Sequence, residues 1–500
     1  MDYEYIVVQA GGKGTRMEWV TKNKPKALVP IKNLPMIFHL FKKYPDKKFI
    51  IIGDYKIDVL KKYLSAFAKV KYVVIDAKGK KGTCAGISTA INIIPNGKPF
   101  IIIWSDLILA EEFKLPDNRE KNYLGISKDF VCRWSYIDEC FVEIPSKEEG
   151  VAGFFILKDK NVIKNVPMEG EFVKWLKTQN ISFDPLALYR TREYGLIDEY
   201  TKLKKEKCRP FNKLTIKDNI LVKEGIDKQG KDLAVREKKW YNEVIKLGFK
   251  NIPKIYEFEP LTMELINGKN IYECDLSIDQ KKYILKNLVS CLKKLHNLGE
   301  TESDYFSIYN NYISKTIDRI NKIRDLVPFA NKEFIKINGR VCRNVFFYMD
   351  EFKRKIDDYN CRNFKFIHGD CTFSNLMLKK DNEPVLIDPR GYFGFNEIYG
   401  DEAYDWAKLY YSIKGNYDQF NLKNFRLTVN ENDVELQIKS NNWEELEDYF
   451  FELIGSSVEK EKIKLIHAII WLSLTTYAWE DYDSICGAFY NGLYYLEEVL

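Results

Sequence analysis

The sequence predicts two units in tandem. The first is an α/β unit with a doubly wound, Rossmann-like sheet; the second is an α+β unit with a small sheet lobe and a large helical lobe. Three observations predict this. A chain of 500 residues exceeds what one hydrophobic core sustains. Through about residue 200 short apolar, β-branched runs alternate with amphipathic stretches, the pattern of a parallel sheet covered by helices. Beyond that the order changes to paired strands, a helix, paired strands again and then long helical patterns.

In the first unit Ile6–Gln9, Phe49–Ile52, Tyr72–Ile75 and Phe100–Trp104 read as strands buried on both faces. Ile57–Ala66 and Gly86–Ile94 read as the helices between them. The stretch Thr201–Pro210 is highly charged and ends in proline, which places the boundary there and gives units 1–205 and 206–500. In the second unit Leu214–Ile216 and Ile220–Lys223 form a strand pair. A helix is expected from Leu233, followed by strands Ile255–Phe258 and Leu261–Leu265. Helical patterns dominate from Ile278 onward, broken by a motif-rich segment at Phe364–Asp405.

Composition narrows the function classes. With 45% hydrophobic and 30% charged residues the chain reads as globular, and 78 basic against 72 acidic residues leave only +6. The basic run Lys202–Lys207 reads as a solvated face, so no nucleic-acid partner is expected. Ten cysteines without a CxxC pair or zinc spacing suit a reducing, cytoplasmic setting, and no leader is expected ahead of the strand at Tyr5–Val8. Leu465–Trp479 carries His467, Ser473 and two threonines and is too short and polar to span a bilayer, so it reads as a core helix and no membrane partner is expected. Four histidines in the whole chain leave catalysis to carboxylates, lysines and metal ions. Nothing in the sequence sets the oligomeric state.

The first strand runs into Gln9-Ala10-Gly11-Gly12-Lys13-Gly14-Thr15-Arg16. Glycines at the carboxyl end of a strand let backbone N–H groups approach an anion, and Lys13 and Arg16 add positive charge. Lys24-Pro25-Lys26-Ala27-Leu28-Val29-Pro30 follows. Taken with that turn it resembles the signature of the sugar-1-phosphate nucleotidyltransferase superfamily, which includes cytidylyltransferases for choline phosphate and related alcohols. The resemblance implies that Ala10, Gly11, Gly12, Lys13, Gly14 and Thr15 hold nucleotide phosphates. It also implies that Arg16 and Lys26 offset charge as the α-phosphate is attacked. Trp19 stands where that family has proline.

Lys81-Gly82-Thr83-Cys84-Ala85-Gly86 resembles the turn that approaches the base, which implicates Gly82 and Thr83. Asp106 ends the strand of Trp104, in the place of a magnesium-binding aspartate; a ligand is expected there on topological grounds as well. Glu193-Tyr194-Gly195-Leu196-Ile197-Asp198 resembles the closing segment that supplies a second ligand, Glu193 or, in another register, Asp198. The implied cofactor is Mg²⁺, and the implied substrates are CTP or another nucleoside triphosphate and a phosphorylated sugar, polyol or alcohol.

Farther along, His368-Gly369-Asp370 and Asn375 have the D-x-x-x-x-N spacing of a kinase catalytic loop, and the run Val385-Leu386-Ile387 then delivers Asp388-Pro389-Arg390-Gly391. The set resembles the aminoglycoside phosphotransferase and choline kinase family. That implies Asp370 as catalytic base, Asn375 and Asp388 as Mg²⁺ ligands, and Asp401 and Asp405 as braces of the loop. His296 and His368 are expected to be structural. Lys223 and Glu237 are the expected pair for the ATP phosphates, and Met263-Glu264-Leu265 with Gly268 the expected adenine hinge. Trp471, Tyr477, Trp479, Asp481 and Tyr482 could form a cage for an amine substrate, or simply helix core.

Together the halves imply consecutive phosphorylation and nucleotidyl transfer. The expected product is a nucleotide-activated, CDP-linked sugar, polyol or alcohol for cell-surface polysaccharide. The alternatives are a choline or ethanolamine kinase fused to a cytidylyltransferase, and a small-molecule kinase with a non-catalytic nucleotide-binding first unit.

Overall fold

The computed structural model describes residues 3–195, 197, 200, 212–359 and 361–500. The chain forms two compact units, Met1–Lys204 with Trp479–Asp483, and Lys205–Ala478 with Ser484–Leu500. The expected boundary at 201–210 and the alternative ligand Asp198 lie outside the described residues.

In the first unit β1 (Tyr5–Gln9) is followed by α1 (Met36–Lys43), β2 (Lys48–Gly53), α2 (Ile57–Phe67), β3 (Lys71–Asp76), α3 (Ile87–Ile93) and β4 (Phe100–Trp104). Strands β5 (Leu107–Ile108), β6 (Tyr123–Ser127), β7 (Val151–Leu157), β8 (Asp184–Leu188) and β9 (Arg192–Glu193) come after them. The main sheet has the order β8-β6-β7-β4-β1-β2-β3. β1 runs parallel to both β2 and β4, so the carboxyl ends of β1 and β4 open side by side, with Gln9 beside Trp104. Val7, Ile51 and Ile102 are fully buried, as runs of isoleucine and valine between two helical layers require.

The sheet departs from the expected parallel, doubly buried one at two strands, the first of which was not read from the sequence. β7 is reversed, antiparallel to β4 and β6, so the sheet is mixed. Its seven residues are buried throughout, because both faces are covered, and an apolar run of that kind carries no sign of direction. β3 is an edge strand that alternates in exposure, with Val73 45% exposed.

The second unit opens with β10 (Asn212–Lys217) and β11 (Ile220–Gly225), then α4 (Lys228–Lys246), β12 (Ile255–Phe258) and β13 (Leu261–Glu264). These strands form an antiparallel sheet of order β10-β11-β13-β12. α4 starts earlier than the expected Leu233 because Asp227 caps it, accepting from the Gly230 N–H at 2.8 Å. The helical part contains α5 (Ile278–His296), α6 (Lys315–Ile323), α7 (Glu402–Ile413) and α8 (Lys460–Leu474), and between them the hairpin β14 (Leu376–Lys379) and β15 (Pro384–Leu386). Leu288, Leu292, Trp406, Leu409 and Trp471 are fully buried in this helical core. α8 covers Leu465–Leu474 of the stretch read as a core helix, and Thr475–Trp479 lie beyond its end in turns. Among the described residues no helix is long and apolar enough to cross a membrane.

Candidate active sites

In the first unit the chain turns at the end of β1. Gly14 takes φ +65°, the left-handed region glycine tolerates, and a short helical turn from Thr15 begins there. Ala10 is buried, its N–H bound to the Ile52 carbonyl (2.9 Å), while Gly12, Lys13, Thr15 and Arg16 are exposed on the open side of the turn. Gly11 lies against Asp54, where a Cβ would come within 3.0 Å of the aspartate Cβ. Trp19, in place of the proline, packs against the small apolar cluster that holds Met17, Val20 and Tyr194.

Lys26 is buried and its Nζ contacts Asp106 Oδ2. β9 pairs with β5 so that Glu193 faces Leu107, next to Asp106, and the Tyr194 N–H binds the Asp106 carbonyl (3.1 Å). A Cβ on Gly195 would lie 3.0 Å from Glu193 Oε1, 3.5 Å from Arg16 Nη2 and 3.6 Å from Lys26 Nζ. Two carboxylates and two cations from four separate stretches therefore converge on one point. Burial pushes the nearby Cys132 thiol up to about 12, with the charges of Glu193 and Asp106 adding to it.

Gly82 takes φ +89°, and a Cβ there would strike the Gly170 carbonyl at 2.3 Å. Thr83 is tied to the end of β1: its carbonyl accepts from Gln9 Nε2 (2.6 Å) and its hydroxyl from the Phe172 N–H (2.8 Å). Gln9 and Gly195 stand inside the quoted motifs but were given no role there, and Gly170 lies outside them, revealed only by its close approach to Gly82.

In the second unit Lys223 on β11 contacts both oxygens of Glu237 on α4, at 3.0 and 2.8 Å, and also Asp388. Burial opposes charge on Lys223, but Asp388 and Glu237 outweigh it and hold the ammonium above its ordinary value. Burial likewise pushes the Glu237 carboxyl upward against the pull of Lys223. The two-oxygen contact makes this an ionic pair.

Asp370 is gripped from both sides. Asn375 Nδ2 donates to its Oδ2 (2.9 Å) and Lys408 Nζ lies 3.0 Å from its Oδ1. Because Leu376 pairs with Leu386, the hairpin brings Asn375 to Asp388, and the Ile387 N–H binds the Asn375 carbonyl (3.0 Å). Asp405 braces the loop as expected, accepting from the His368 and Gly369 N–H groups at 2.9 and 2.7 Å and contacting His296 at 3.1 Å. His368 is structural too, its Nε2 3.0 Å from the Ile387 carbonyl.

Asp401 differs from the brace expected. It caps α7, accepting from the Ala403 N–H (3.0 Å), and pairs with Lys462 (2.9 Å). In the expected hinge the Glu264 and Leu265 N–H groups donate to the carbonyls of Lys254 (2.8 Å) and Asn219 (2.9 Å), so sheet pairing uses both donors. The residues read as an amine cage or as helix core divide between the two units. Trp471 is buried against His467, Tyr477 meets Arg319, and Trp479–Asp483 belongs to the first unit.

Among the described residues no group of three or more histidine, cysteine or acidic side chains could by itself hold a metal. The oxygen pairs Asp106 with Glu193 and Asn375 with Asp388 fit magnesium nonetheless, because that ion usually takes one or two protein oxygens and completes its shell with phosphate and water.

The first unit is an α/β domain with a largely parallel sheet, a glycine turn after its first strand and a carboxylate-and-cation cluster. Residues 5–118 match the family model described as nucleotidyl transferase. The chain is 27% identical over 108 residues to the bifunctional protein GlmU of Methanococcus maripaludis, 21% of this chain and 25% of that protein. It is 31% identical over 128 residues to the D-glycero-alpha-D-manno-heptose 1-phosphate guanylyltransferase of Campylobacter jejuni, 24% of this chain and 57% of that protein. The crystal structure of HddC from Yersinia pseudotuberculosis aligns at 22% identity and a TM-score of 0.34, covering 40% of this chain and 97% of that one. The chain thus spans about a quarter of the length of the first curated relatives.

Proposed function

We propose that the first unit transfers a nucleotidyl group from a nucleoside triphosphate, CTP by preference, to a phosphorylated sugar or polyol, and that the second unit phosphorylates a hydroxyl with ATP. The observation that carries the first half is the convergence of Arg16, Lys26 and Glu193 around Gly195, with Lys26 on Asp106. The acceptor phosphate attacks the α-phosphorus and pyrophosphate leaves. Arg16 and Lys26 offset the repulsion between the two anions, and the glycine turn brings backbone N–H groups to the phosphates. Asp106 and Glu193 would hold magnesium, which supplies further charge neutralisation when bound.

The second half rests on the held Asp370 and on the Lys223–Glu237 pair, which Asp388 joins through Lys223. Asp370 accepts the proton of the attacking hydroxyl, a new bond forms from that oxygen to the γ-phosphorus, the bond to the bridging oxygen breaks, and ADP leaves. Lys223 steadies the ATP phosphates. Asn375 and Asp388 would hold magnesium, Asn375 through the amide oxygen it does not use on Asp370.

A kinase makes the phosphate that a nucleotidyltransferase consumes, so the two steps run in sequence toward an activated sugar of the kind that feeds cell-surface polysaccharide. The test is pyrophosphate release with Mg²⁺, each of CTP, UTP, GTP and ATP, and a panel of phosphorylated sugars, polyols and amino alcohols. One strong pair is expected. Release from no pair, with ATP consumption intact, would leave a kinase carrying a binding domain.

A further inference from the structure

Beside Asp370 the second unit gathers cations from three elements. Lys315 and Arg319 lie one turn apart on α6, Arg390 follows the turn at Asp388, and Lys408 comes from α7. Lys408 is paired with Asp370. The polar contacts of the other three are with neutral groups. Lys315 Nζ donates to Asn311 Oδ1 (3.3 Å), Arg319 Nη1 to the Ser473 carbonyl (2.7 Å), and Arg390 Nη1 to the Tyr404 hydroxyl (2.9 Å). Aromatic faces complete the surround: Arg319 lies 4.9 Å from the ring centre of Tyr477, and Arg390 5.2 Å from that of Tyr392.

These charges feel one another. Burial, and then repulsion from Arg390, Arg319 and Lys408, bring the Lys315 ammonium down to about 5, with Asp370 opposing, so that near neutral pH Lys315 carries its charge only when an anion joins it. Next to it Asn311 is only 6% exposed, and its Nδ2 donor has no hydrogen-bond partner among the described residues. Crowded, half-buried cations with neutral neighbours and an unused amide donor are costly unless an anion joins them.

We propose that the hydroxyl phosphorylated at Asp370 belongs to a sugar or polyol that already carries an anionic group, a phosphate monoester or a carboxylate, held by Lys315, Arg319, Arg390 and Asn311. The proposal rests on the kinase reading of the second unit and names its acceptor class. Choline, ethanolamine and amino sugars are disfavoured, since a cation would enter a pocket of cations. Arg319 and Lys315 set specificity here and act on the bound anion.

The test is calorimetric titration of the full chain, saturated with Mg²⁺ and a non-hydrolysable ATP analogue, with inorganic phosphate, acetate and choline. Phosphate or acetate should bind, and Arg319→Gln or Lys315→Gln should weaken it roughly ten- to hundredfold, with Arg319→Lys recovering part. Tighter phosphate indicates a phosphate ester, tighter acetate a sugar acid. Thermal unfolding of the second unit, which contains both substituted residues, monitors folding of the variants by circular dichroism. If wild type and both glutamine variants bind the anions equally, or choline binds in preference, the proposal is overturned. If the ATP analogue fails to bind while phosphate still separates wild type from the variants, the kinase reading falls and the anion pocket stands. Nucleotide binding without that separation overturns the acceptor class alone.

Discussion

Lys24 and Lys26, two residues apart, have opposite tasks. Lys26 reaches Asp106 at the candidate site. Lys24 is buried between Asp481 (2.8 Å) and Asp483 (2.6 Å) in the first unit, and against the penalty of burial these carboxylates hold its ammonium well above the ordinary value. Lys26→Ala should lower pyrophosphate release by about 10²–10³-fold, measured at saturating substrate, with little change in thermal stability. Lys24→Met should do the reverse, because it strands two buried carboxylates; a cost of about 3–5 kcal/mol to the first unit is expected in denaturant unfolding. Lys26 was legible from its motif. Lys24 was not, because its partners lie 457 and 459 positions away and no local pattern connects them. The same distance explains why Asp481 read as a candidate cage residue of the helical lobe. Lys223 and Glu237 could be singled out because they follow one another on a strand and the next helix, and the structure joins them directly.

At the scale of elements, α8 carries a buried titratable group that the chemistry does not use. His467 Nε2 accepts a hydrogen bond from Trp471 Nε1 (3.0 Å), so the ring is neutral, and its Nδ1 has no partner among the described residues. Burial lowers its pKa to about 3, with Glu447 opposing and Lys464 and Lys414 reinforcing. The folded state therefore holds this ring neutral where the unfolded chain would bind a proton. Its contribution is fully present above about pH 6.5 and is lost as pH falls toward 3, at up to about 1.4 kcal/mol per pH unit. Urea unfolding of the second unit between pH 7 and 4 should show one proton taken up, and His467→Gln, which keeps an acceptor for Trp471, should remove that proton from the slope. An unchanged slope would mean another group titrates. The helix itself was legible from its apolar length. β7 was not among the strands read from the sequence, and its reversal was not legible either, since strand direction leaves no mark on a run buried on both faces.

At the scale of the whole chain, two sites built from non-overlapping residues predict separable steps. Asp370→Asn keeps the shape of the carboxylate but cannot accept the proton, so phosphorylation should fall about 10²–10⁴-fold while pyrophosphate release from a phosphorylated acceptor persists. Lys26→Ala should give the opposite pair of results. Neither variant alone should then convert an unphosphorylated acceptor, ATP and a nucleoside triphosphate into the activated sugar, whereas wild type should. Mixing the two variants in one vessel tests how the steps are linked. If the phosphorylated intermediate leaves one site and diffuses to the other, the mixture regains conversion after a lag that shortens as protein concentration rises, because each step needs only one intact site. If wild type converts and the mixture does not, the intermediate passes between the two sites of one chain without release. If both half-reactions work and wild type itself forms no activated sugar, the phosphate made by the second unit is not the acceptor used by the first, and the consecutive order proposed for the two units is wrong.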